Sequence, residues 1–171
     1  MQIVTTHINS DFDALASMVA ASFLYPGVTR MVPSQVRPAV REFLTVHWDL
    51  LQLKPRRAID PAAVERLIVT DTGSWERLDD LRMLAERTDL ETIVWDHHMA
   101  PGSIRAGELH REEVGATVTL IRACSTSAPW CVSSATAGIR APARRCSRPR
   151  PRRRALGYAG SSPRPNLRAS G

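Results

Sequence analysis

A chain of 171 residues, 43% of them hydrophobic, is long enough for one domain with a sizeable core and too short to promise two. Its apolar runs stop short of the about 18 residues that cross a bilayer, and "MQIVTTHINSD" lacks the basic flank and cleavage pattern of a secretory signal, so a soluble, cytoplasmic protein with no membrane partner is expected. The net charge of +6 averages two unlike parts: residues 1–121 hold 12 Lys+Arg against 17 Asp+Glu, whereas residues 122–171 hold 11 arginines and no acid.

Residues 2–6, "QIVTT", form a β-branched run that predicts a strand buried on both faces. His7, Asn9, Asp11 and Asp13 follow it. Residues 13–25 are apolar nearly all round, as a buried helix should be. After Pro26-Gly27, residues 28–32 ("VTRMV") make a weaker strand candidate. Residues 34–52 read as partly helical, with Pro38 in a first turn. "LIVT" (67–70) predicts another strand, with Asp71 and Thr72 at its end. Residues 74–88 predict a helix with Leu78, Leu81, Met83 and Leu84 on one side. "TIVW" (92–95) predicts a strand running into Asp96, His97 and His98, and Gly115-Ala116-Thr117 opens a further helix.

Strands alternating with helices predict an α/β fold: a doubly wound, mainly parallel sheet with helices on both faces. In such sheets the ligand crevice lies outside the carboxyl ends of the strands. Three strands each deliver acids or histidines to that edge. Carboxylates and imidazoles gathered without cysteine suit Mn²⁺ or Mg²⁺ better than a structural zinc. Two such ions sharing a carboxylate could activate a water for in-line attack at phosphorus. Each residue also has a structural reading: Asp11 as a helix N-cap, Asp13 as a first-turn acid, Asp71 as a turn residue before Gly73, and His97 and His98 as solvated loop residues. His47, His110 and Cys124 read as structural or surface residues. The three cysteines, Cys124, Cys131 and Cys146, have spacings that fit neither a zinc ribbon nor a redox pair.

The strings "THINSDFDALAS", "VTDTG" and "VWDHH" resemble, in order, the first three motifs of the DHH phosphoesterase superfamily. The longer "TTHINSDFDALASMVAASFLYPG", with "GATVTLI" further on, is most similar to the N-terminal DHH domain of bacterial proteins that also carry CBS domains and a tRNA nucleotidyltransferase (poly(A)-polymerase-like) module. The resemblance implies a metal-dependent hydrolase of phosphodiester or phosphoanhydride bonds in a nucleotide, oligonucleotide or other phosphate ester. It also implies two ions, Mn²⁺ or Mg²⁺, in a complete member. By motif, His7 and Asp11 would bind one ion, Asp13 and His97 the other, and Asp71 both. His98 would sit near the phosphate, with Asp96 orienting an imidazole. Asn9, Gly115, Ala116 and Thr117 would contact substrate, the last three through helix N–H groups.

The family's fourth motif, an Asp in an "Asp-Thr-Gly" setting, has no counterpart after Glu113, so the resemblance covers residues 1–121 as an incomplete DHH domain. Residues 122–171, with the block "RPRPRRR", read as a disordered basic tail. Two accounts of it stand. A genuine tail would contact RNA phosphates non-specifically. An out-of-frame translation of GC-rich DNA would yield the same Arg-, Pro-, Ala- and Ser-rich composition. On the incomplete-domain reading, hydrolysis is expected to be weak or absent, and an open sheet edge to cost solubility. The competing functions are a non-catalytic nucleic-acid-binding protein that uses the tail, and a fragment of a tRNA nucleotidyltransferase-type protein.

Overall fold

The computed structural model describes residues 1–127, apart from the side chains of 79, 80, 126 and 127. Six strands form one sheet in which every pairing is parallel: β1 (Gln2–Thr6), β2 (Thr29–Val32), β3 (Leu53–Pro55), β4 (Arg66–Thr70), β5 (Glu91–Asp96) and β6 (Glu108–Arg111). Three α-helices accompany them: α1 (Phe12–Leu24), α2 (Pro38–His47) and α3 (Thr117–Ser127). The spatial order is β3-β2-β1-β4-β5-β6. The chain winds outward one way from β1 and the other way from β4. The reversal between these two neighbours opens a crevice at the carboxyl ends of the strands.

Alternation along the central strands divides the core in two. Val4, Ile68, Ile93 and Trp95 face one side, where they pack with Leu15 and Met18 of α1, Val40 and Leu44 of α2, and Leu120 and Ile121 of α3. Ile3, Leu67, Val69 and Val94 face the other, against Leu78, Leu81 and Leu84. Burial on both faces is why β1, β4 and β5 are legible as continuous apolar runs.

The second face departs from expectation. Residues 74–88 form two 3-10 helices, Trp75–Arg77 and Asp79–Glu86, and no α-helix. Leu78, Leu81 and Leu84 are spaced by three, which the three-residue 3-10 turn stacks into one buried row. Met83, expected on that side, is 62% exposed. Two strands were not expected. Both β3 and β6 lie at sheet edges and are three and four residues long. Edge strands need bury little, so "LKP" and "ELHR" carry no apolar period. α2 begins with Pro38 in its first turn, as expected. α3 crosses the expected boundary at residue 121 and runs to Ser127. The disorder expected of the basic tail beyond it lies outside the described residues. No helix among the described residues is long and apolar enough to cross a membrane.

Candidate metal centre

Strand β1 ends by burying His7 at the crevice. The His7 Nδ1 lies 2.6 Å from the Ile8 carbonyl, which can only accept, so Nδ1 carries a proton. Nε2 lies 3.2 Å from Asp71 Oδ2: in the charged ring it donates to that oxygen, and in the neutral ring its lone pair is free for a cation. The loop beyond is pinned on both sides: Ile8 N–H donates to the Arg77 carbonyl and Asn9 N–H to the Gln35 carbonyl, each at 2.9 Å. Asn9 itself turns the chain with φ +57°, a left-handed conformation that Asn tolerates well. Asp11 then caps α1, its Oδ1 accepting from Ala14 N–H at 3.1 Å.

Asp71 stands at the end of β4 on the other side of the crevice. It is buried, and its φ of +63° is again left-handed. Its N–H donates to the Trp95 carbonyl at 2.8 Å. Thr117 Oγ1 donates to Asp71 Oδ1 at 2.8 Å. Burial pushes the Asp71 carboxyl up, but hydrogen bonds from His7 and Thr117, with the charges of His7 and His98, outweigh it and hold the group below its ordinary range.

β5 delivers the third set. His97 Nδ1 lies 3.0 Å from the Val114 carbonyl, so this ring too is protonated there and turns Nε2 to Asp71 Oδ1 at 3.3 Å. His98 Nδ1 lies 2.8 Å from Asp96 Oδ1, which also accepts the His98 backbone N–H at 3.1 Å. The His7 and His97 rings turn their Nε2 atoms to different oxygens of one carboxylate. Lone pairs facing an anion repel unless a cation or proton lies between them. The donor set fits a divalent ion, with the His7 and His97 rings oriented by backbone acceptors on their far nitrogens and the His98 ring held by Asp96. His7, Asp11 and Asp71 place ligand atoms within 4.8 Å of one another, and so do Asp71, His97 and His98. The two sets share Asp71.

The remaining expected residues fall differently. Asp13 belongs to neither set. Its Oδ2 accepts from Thr117 N–H at 2.9 Å and its Oδ1 from Val118 N–H at 3.3 Å. A carboxylate facing the orphan N–H groups of a helix start satisfies both partners. The N–H of Thr117, expected to face a phosphate, is thus turned on Asp13, and the Thr117 hydroxyl reaches Asp71. Gly115 is exposed with open space around it, and Ala116 lends its carbonyl to Thr119 N–H at 3.1 Å. Asn9 is exposed.

Arg111 was missed. It pairs in register with Asp96, and its Nη2 lies 3.6 Å from Asp96 Oδ2, opposite the oxygen that holds His98. Its Nε is buried without a hydrogen-bond partner. A Cβ on Gly73 would come within 2.8 Å of Arg111 Nη2, so glycine there leaves room for the guanidinium. The only signal was β6 itself, and that strand has no readable period.

Residues 2–139 match the family model of the DHH family, N-terminal domain. The A-adding tRNA nucleotidyltransferase of Geobacter sulfurreducens is 31% identical over 123 residues, which cover 71% of this chain and 14% of that protein. The chain thus spans about one-seventh of the length of that curated relative. Among solved structures, an exopolyphosphatase-related protein from Bacteroides fragilis superposes with a TM-score of 0.51 at 17% identity, over 73% of this chain and 39% of that one. At that identity the likeness is one of fold.

Proposed function

The chain belongs to the DHH family, and from that premise we propose that the crevice between β1 and β4 is a two-ion centre for hydrolysing phosphodiester or phosphoanhydride bonds of a nucleotide or oligonucleotide in the cytoplasm. The observation that carries this reading is the convergence of His7 Nε2 and His97 Nε2 on the Asp71 carboxylate, at 3.2 and 3.3 Å. His7, Asp11 and Asp71 would hold one divalent ion, Mn²⁺ or Mg²⁺; Asp71, His97 and His98 would hold the second. When bound, the ions would supply Lewis acidity and lower the pKa of a coordinated water.

The residues of the chain do the rest. Asp71 is kept anionic and is shared between the two sets. Asp96 fixes the ring of His98 through Nδ1, the nitrogen that also lies 3.9 Å from Asp71 Oδ1. The Arg111 guanidinium balances the second oxygen of Asp96. Asp13 ties the start of α3 to α1 and so holds Thr117 against Asp71. The Geobacter relative is a tRNA nucleotidyltransferase, which favours a nucleotide or nucleic-acid substrate over a bare phosphate ester.

Isothermal titration with Mn²⁺, followed by hydrolysis of bis-p-nitrophenyl phosphate, tests the reading. The wild-type chain should bind Mn²⁺ saturably and hydrolyse the ester only weakly, since no fourth-motif Asp follows Glu113, and Asp71→Asn should weaken Mn²⁺ binding about 100-fold or more. Mn²⁺ affinity unchanged in Asp71→Asn would overturn the assignment.

A further inference from the structure

On the β2–β3 side of the switch point lies a cavity of about 780 Å³, inside the roughly 300–1,000 Å³ range of small-molecule sites. Resting on the reading of the metal centre as a phosphoesterase, we propose that this cavity is a nucleotide subsite. It would take the base and adjoining phosphate of the substrate whose neighbouring bond lies at the metal centre.

Three observations carry this. The first is the chemistry of the walls. Val36, Leu44 and Trp48 offer an apolar surface with one aromatic face, while Arg41, Arg56 and Arg57 supply positive charge, and among the described residues no carboxylate lines the cavity. A flat ring stacks on an indole, and guanidinium groups pair with phosphate oxygens by two parallel hydrogen bonds. Arg56 is already anchored, donating from Nη1 to the Ile59 carbonyl at 2.9 Å, and Arg41 and Arg57 are exposed at the rim.

The second is position. Val32 and Pro55, the last residues of β2 and β3, line the cavity, so it opens at the sheet edge that carries His7 and Asp71. The third is a shared wall. Pro33, Ser34 and Val36 line the cavity, and residues 35–37 of the same segment are bonded to the ligand loop. Gln35 accepts from Asn9 N–H at 2.9 Å, Arg37 N–H donates to the Ser10 carbonyl at 3.1 Å, and Val36 bridges to Ser10. A ligand with a base in the cavity and a phosphodiester beyond it would cross that wall into the metal centre. Inorganic phosphate would leave the apolar surface unused.

The test is titration of the full chain with AMP in EDTA, by calorimetry and tryptophan fluorescence. Without metal, it reads the cavity alone, whereas Mn²⁺ titration reads the metal centre alone, so the two readings fail separately. Saturable binding is expected, with a fluorescence change that Trp48→Phe removes. Arg41→Glu with Arg57→Glu should weaken AMP at least tenfold. Thr45→Trp, an exposed lining position on α2, should block the cavity without burdening the core. The proposal is overturned by absence of saturable AMP binding, by affinity unchanged in both variants, or by inorganic phosphate binding as tightly as AMP.

Discussion

Asp71 shows how much one residue can be asked to do. Its left-handed backbone, a conformation that costs a non-glycine residue about 1 kcal/mol or more, aims the carboxylate back across the crevice. The pairs Asp71–His7 and Asp71–His97 were legible because motif spacing puts them at strand ends. Arg111 was not, since an arginine on a short edge strand looks like any solvated charge. A second residue-scale pair lies away from the crevice. His110 stacks on Trp95 with ring centroids 3.7 Å apart, and its Nε2 lies 2.6 Å from Glu108 Oε1. The hydrogen bond from His110 is the main reason the Glu108 carboxyl sits below its ordinary range, with burial opposing it and the His110 and Arg66 charges adding to it. A depressed folded-state pKa means stability that is present above the unfolded pKa, about 4.3, and lost as pH falls through the folded value. Glu108 is 47% exposed, so screening holds the contribution below about 1 kcal/mol. Glu108→Gln should therefore lower the melting temperature slightly at pH 7 and leave it unchanged at pH 3. An equal deficit at both pH values would show that packing, not charge, is what was lost.

Among the elements, α1 and the start of α3 are the pair on which the site depends. Asp13 was expected to be a metal ligand from its motif, and the structure puts both its oxygens on α3 N–H groups. The sequence could not distinguish these roles, because helix start and carboxylate lie 104 residues apart. Substitution can. Asp13→Ala should cost roughly 1–2 kcal/mol in urea denaturation by uncapping α3. Asp13→Asn, which keeps an acceptor oxygen, should retain most of that stability and bind Mn²⁺ as wild type does. Loss of Mn²⁺ binding in a stable Asp13→Asn would make Asp13 a ligand as well as a cap. The loop after β5 is equally specific. It folds onto the turn after β4, with Ile104 N–H donating to the Gly73 carbonyl at 2.9 Å, and a Cβ on Gly102 would collide with that carbonyl. Gly102→Ala should destabilise by about 1–3 kcal/mol, read as a lowered urea midpoint. An unchanged midpoint would mean that the loop yields freely.

In the molecule as a whole, one sheet carries two apolar clusters, so neither face can be lost without exposing the other side's strands. The fold class was legible because β1, β4 and β5 are buried on both faces. The 3-10 face was not, because three leucines at a spacing of three fit either helix type until packing decides. Ile121 is 1% exposed, on the helix that closes one face and presents Thr117 to the site. Ile121→Ala should cost roughly 2–5 kcal/mol. Against the ~5–15 kcal/mol that domains possess, that is enough to shift the whole transition. Tryptophan fluorescence and circular dichroism should move together, and separate transitions would mean that the two faces unfold independently.

The all-parallel winding also sets an order of events during synthesis. No two neighbouring strands can close as a hairpin: Gln2 of β1 lies beside Arg66 of β4, and β6 must follow β5 before the edge is laid down. His7 and Asp11 leave a ribosome early, yet Asp71 gains its hydroxyl partner only when Thr117 has emerged. Pairings this distant in sequence form slowly, since each must close a long loop first. The half-made crevice would therefore remain a loose set of acids and imidazoles until Thr117 is in place, and would become a single centre only then.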